Sequence, residues 1–76
     1  MRSVHVFFNT VEKVQAFVGD ITKFENDFYL VSDRCIVNAK SIMGIFCLDL
    51  TSPICLKINT EENTDAIMDV LSDYVV

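Results

Sequence analysis

Apolar residues recur at two periods along this chain, and the changes of period mark its elements. From Ser3 to Phe8 they alternate, with Val4, Val6 and Phe8 on one face and Ser3, His5 and Phe7 on the other. A period of two predicts a strand with one drier face. From Val11 the spacing lengthens. Val11, Val14, Phe17, Val18 and Ile21 stand three or four apart, on one side of a helix. Asn9 or Thr10 supplies its cap, because short polar side chains accept from the free amides of a first turn. Asn9 followed by Glu12 approximates a capping box. Lys23 sits near the helix end, and Glu25-Asn26-Asp27 breaks it. Phe28 to Val31 and Cys35 to Asn38 flank the polar turn Ser32-Asp33-Arg34 and read as a hairpin. Ser41 caps a short second helix reaching about as far as Leu48. Ser52-Pro53 is a turn, and proline can open a strand but not sit inside one. Ile54, Leu56 and Ile58 then alternate with Cys55, Lys57 and Asn59 as a fourth strand. Glu61-Glu62 favour the positive end of a last helix, whose stripe is Ile67, Val70, Leu71 and Tyr74.

The predicted order is βαββαβα. A four-stranded antiparallel sheet with three helices on one face buries every stripe at once, so the pattern predicts an α+β fold. Composition narrows the picture. With 76 residues, 51% of them apolar, the chain supports a single domain over 1–76 with a core that needs neither disulfide nor metal. A net charge of −5 argues against nucleic acid as a partner, which requires clustered Lys and Arg. No apolar run approaches the roughly 20 residues that span a bilayer. No signal-peptide core follows Met1-Arg2, so a cytoplasmic location without a membrane partner is expected. Cys35, Cys47 and Cys55 form an odd set without metal-ligand spacing and read as small buried or half-buried hydrophobes of a reducing compartment. No cofactor motif is present.

Val37-Asn38-Ala39-Lys40-Ser41-Ile42-Met43-Gly44-Ile45-Phe46-Cys47-Leu48 resembles the HPr family, the histidine-containing phosphocarriers of the bacterial sugar phosphotransferase system. Lys23-Phe24-Glu25-Asn26-Asp27 is similar to the run that ends the family's first helix, and Glu61-Glu62-Asn63 fits the start of its last. The resemblance spans nearly the whole chain in element order and implies an open-faced two-layer sandwich. It implies a regulatory phosphorylation site at Ser41, written by the HPr kinase/phosphorylase. It also implies a docking face on the second helix, formed by Ile42, Met43 and Phe46, for phosphotransferase-system proteins and transcriptional regulators. Asp49 stands where relatives often carry a small residue.

The same resemblance implies a phospho-accepting histidine at the start of the first helix, then an arginine and a proline. Counting back from Ser41 puts these positions at Thr10, Glu12 and Lys13. Threonine cannot form a phosphoramidate, and Glu12 repels the phosphate an arginine would hold. His5, the chain's one histidine, lies mid-strand about 16 Å of chain away, at roughly 3.3 Å per residue. The expected function is therefore a non-catalytic regulatory or adaptor domain, not an enzyme, with docking through the second helix and a switch at Ser41. A phosphocarrier in phosphoenolpyruvate-dependent sugar uptake is the alternative. A self-associating structural domain, whose homodimer covers the apolar face, is the third reading.

Overall fold

The computed structural model describes residues 2–32, 35–60 and 64–76. In chain order the elements are β1 (Arg2–Val6), α1 (Val11–Thr22), β2 (Asp27–Ser32), β3 (Cys35–Asn38), α2 (Ile42–Ile45), β4 (Ile54–Asn59) and α3 (Thr64–Leu71). The strands form one antiparallel sheet in the order β1-β4-β2-β3. The fold is an α+β open-faced sandwich. β4 is an inner strand and shows the cleanest alternation: Ile54, Leu56 and Ile58 are buried, whereas Lys57 and Asn59 are exposed. Its register sets Val4 against Leu56 and Leu30 against Leu56, so the apolar faces of three strands align on one side.

Val14, Phe17 and Ile21 of α1, Ile45 of α2, and Ile67 and Leu71 of α3 are fully buried with the inward residues of the sheet. An aromatic cluster ties the far end of the chain to α1. The rings of Phe8 and Phe17 lie 4.8 Å apart, and that of Tyr74 meets Phe17 edge-on at 5.4 Å. Such tilted contacts add to the gain from burial alone. The Tyr74 hydroxyl donates to Asp20 Oδ2 at 2.9 Å, giving a polar atom at the core's edge its partner. Beyond α3 the chain returns to β1: Phe7 N donates to Tyr74 O, Val76 N donates to His5 O, and Val6 pairs with Val75.

The element order and α+β class agree with the sequence pattern, and the differences have local causes. The first strand ends at Val6, not Phe8, because its partner strand β4 opens at Ile54, opposite Val6, just after Pro53. Regular α2 stops at Ile45, short of Leu48. There the bonds tighten to i−3, with Cys47 N donating to Gly44 O and Leu48 N to Ile45 O. The cap of α1 is Thr10, and its third residue is Lys13; a lysine ammonium only donates, so no reciprocal capping box forms around Asn9 and Glu12. Val11 leaves the buried stripe at 55% exposure, because it opens the helix at the rim of the core. Val70 is half-buried, not fully inside. Cys35 and Cys47 are exposed, contrary to the expectation of small buried or half-buried hydrophobes: one opens an edge strand and the other follows α2 in a turn. Cys55 is half-buried, and all three thiols are free. The acidic run Glu61-Glu62-Asn63 and the turn residues Asp33-Arg34 lie outside the described residues. Among the described residues no helix is long and apolar enough to cross a membrane.

Candidate functional site

Two caps stand at the edge of the sandwich. Thr10, in extended backbone, accepts through Oγ1 from Lys13 N at 3.1 Å and starts α1. Ser41, also extended, accepts through Oγ from Gly44 N at 3.3 Å, while Ile45 N donates to Ser41 O at 3.1 Å. Both hydroxyl residues are exposed. α1 and α2 contact each other. A shallow depression of about 380 Å³ lies beside the start of α1, lined by Phe7, Phe8, Asn9, Thr10, Val11, Leu50 and Thr51.

The exposed apolar side chains here are Met43 at 75%, Val11 at 55% and Phe46 at 43%. Ile42, expected with Met43 and Phe46 on the docking face, is only half-exposed and packs against the core. A four-residue helix resting on Ile45 turns one neighbour inward. Glu12 and Lys13 are both exposed on the first turn of α1. Asp49 is exposed too, and its carboxylate is held below the usual range, first by the Thr51 hydroxyl and then by the Thr51 amide. Asp49 precedes Leu50 and Thr51 of the depression in the chain and keeps its negative charge further into acid than an ordinary carboxylate.

Lys40 places Ser41. Its Nζ donates to Phe24 O at 2.6 Å and lies 5.6 Å from the centre of the Phe28 ring, while Asn38 Oδ1 accepts from its amide at 2.9 Å. One side chain thus joins the end of α1, strand β2 and the entrance of α2. Sequence pattern did not reveal this clamp, nor that Val11, Phe7 and Leu50 shape the depression. The one available signal was Val11, an apolar residue at the first position of a helix, where burial is least assured. His5 lies elsewhere: it is exposed on β1, opposite Cys55, in a strand whose Val6 is turned into the core.

The architecture and the pair of helix starts define a class: α+β open-faced sandwiches with four antiparallel strands and three helices. Within it the chain is similar to the crystal structure of HPr-C-His from Thermoanaerobacter tengcongensis. The TM-score is 0.78 at 28% identity, covering 96% of this chain and 89% of that one. It is also similar in fold to the phosphocarrier protein HPr from Bacillus anthracis str. Ames, with a TM-score of 0.72 at 24% identity, covering 96% and 93%. The fold is HPr-like. No protein-family model matches the sequence, and no match is found among curated proteins.

Proposed function

We propose that this chain is an HPr-like protein of the sugar phosphotransferase system that docks partners and does not carry phosphate on histidine. The observation that carries the reading is the first turn of α1. In an HPr-like fold, the run Asn9-Thr10-Val11-Glu12-Lys13 offers no imidazole, and the chain's one histidine is on β1. Thr10 takes the histidine position, Glu12 the arginine position and Lys13 the proline position. Phosphotransfer through this turn would need a nitrogen nucleophile and a cation, and the turn supplies a hydroxyl and a carboxylate.

The docking half of the surface supports the rest of the proposal. Met43 and Phe46 of α2, and Val11 at the rim of the depression, leave apolar area in water, which is the property of a protein-binding surface. Met suits contacts that adapt to more than one partner. Ser41 is exposed at the entrance of α2, where a kinase can reach its hydroxyl, and phosphate there would add about −1.5 to −2 charges beside that surface. The writer of that mark would be HPr kinase/phosphorylase, and the docked partners would be phosphotransferase-system proteins or a transcriptional regulator.

Two incubations test it. With ATP and HPr kinase/phosphorylase the expected product is acid-stable phosphate that disappears in Ser41→Ala; label surviving that substitution removes Ser41 as the site. With enzyme I and phosphoenolpyruvate no acid-labile phosphate is expected. Its appearance would restore the phosphocarrier reading, which the likeness to a phosphocarrier from Bacillus anthracis keeps as the alternative.

A further inference from the structure

We propose that His5 and Cys55 form a chelating pair for a thiophilic divalent cation of the zinc class, on the uncovered face of the sheet and apart from the docking surface. The two are register partners on the neighbouring strands β1 and β4. Val6, Ile54 and Leu56 of the same strands are buried, so alternation turns His5 and Cys55 to the face away from the core. The main chain fixes how close they come. His5 O accepts from Val76 N at 3.0 Å on the outer edge of β1, and Phe7 N donates outward to Tyr74 O, also at 3.0 Å. The odd-numbered peptide groups of β1 therefore point away from β4, which makes His5 and Cys55 a non-hydrogen-bonded pair. Side chains approach most closely in such pairs, with Cα atoms about 4.5 Å apart and Cβ atoms about 4.5–5.5 Å apart. An imidazole nitrogen and a sulfur rooted at that separation can share one ion, at about 2.0–2.1 Å and 2.3 Å respectively.

The donor types suit a borderline-soft cation and not calcium or magnesium, which take oxygen. Neither side chain is committed to another partner among the described residues, and the thiol is free. Strand backbone holds both donors, so little ordering is required on binding. As the metal–sulfur bond forms, the thiol proton passes to solvent, and no electron moves. Among the described residues no third His, Cys, Asp or Glu joins the pair, so the remaining coordination positions open outward to water. Lys57, two residues along β4 on the same face, is exposed and free to swing from the ion.

The test is titration of the reduced chain with Co(II), read as thiolate-to-cobalt absorption. The band is expected in the native chain and in the Cys35→Ser/Cys47→Ser double variant, absent in Cys55→Ser, and weakened at least about tenfold in affinity in His5→Gln. A band that survives Cys55→Ser, or one indifferent to His5→Gln, overturns the proposal. Circular dichroism of the ion-free variants checks their fold. Should either variant fail to fold, the imidazole resonances of the native chain decide. A shift of the His5 ring signals on adding Zn(II) upholds the pair, and unshifted signals overturn it.

Discussion

Tyr74 puts a phenol against two buried phenylalanine rings, and the consequence is a pH dependence. Burial pushes its pKa up to about 12, and the Asp20 carboxylate that accepts its hydrogen bond adds to the shift. The ordinary value is 10.0, so the folded state holds this proton more tightly than the unfolded chain. The associated stability is complete below about pH 10 and is lost as pH rises towards 12. Urea midpoints measured across that window should fall in the native chain and fall less in Tyr74→Phe, which keeps the ring and removes the acid. Thr10 makes a simpler case. Its hydroxyl accepts one helix amide and does little else, so Thr10→Ala should cost about 1 kcal/mol in urea denaturation. A cost near zero would mean that water replaces the cap. At this scale the sequence was informative about caps and silent about partners. Ser41 was legible as a helix start from residue type alone, whereas the first start could be narrowed only to Asn9 or Thr10. The Tyr74–Asp20 bond joins residues 54 positions apart, and no local pattern encodes it.

Among the helices, α1 and α2 draw on different sources of stability. α1 has twelve residues, a capped start and a buried stripe. Gly19 lies on its exposed side, and a methyl group added there would meet nothing within 4 Å. Gly19→Ala should therefore raise stability by about 1 kcal/mol in thermal or chemical denaturation. α2 has four residues and could not persist alone, since a helix this short never recovers the cost of its first turn. Ile45 buried beneath it and the Lys40 clamp beside it hold it in place. Truncations on its two sides should therefore separate. Ile45→Ala should cost about 2–5 kcal/mol, whereas Met43→Ala, at an exposed position, should stay within about 0.5 kcal/mol. If α2 is the docking element, Met43→Ala should nevertheless weaken binding to HPr kinase/phosphorylase in calorimetry. Unchanged binding would move the docking surface elsewhere. The expected length of α2 exceeded the observed one for a related reason. The apolar run continues to Leu48, and hydrophobicity cannot distinguish an α turn from the tighter turns that follow Ile45.

For the whole molecule the margin is small. At about 0.05–0.15 kcal/mol per residue, a chain of this length has roughly 4–11 kcal/mol of stability. Phe17 is fully buried and touches both other rings of the aromatic cluster. Phe17→Ala, at about 3–5 kcal/mol, should consume a third of that margin at its upper end and nearly all of it at its lower end. Thermal denaturation followed by far-ultraviolet circular dichroism should show a clearly lowered midpoint, and an unchanged midpoint would mean that the core collapses around the cavity. The sequence by itself determined the element order, which face of each strand turns inward, and the absence of histidine from the first turn of α1. All three depend on residue type and on periods of two or three to four, which are local. Only the tertiary structure decided that β4 enters between β1 and β2, that Lys40 bridges three elements, that Val11 joins the exposed apolar surface, and that His5 meets Cys55 on the uncovered face. Those relations set residues many positions apart side by side, and their partners are chosen by the packing of the whole chain. The run around Ser41 located a surface; the sheet order placed the one histidine on β1, across from Cys55.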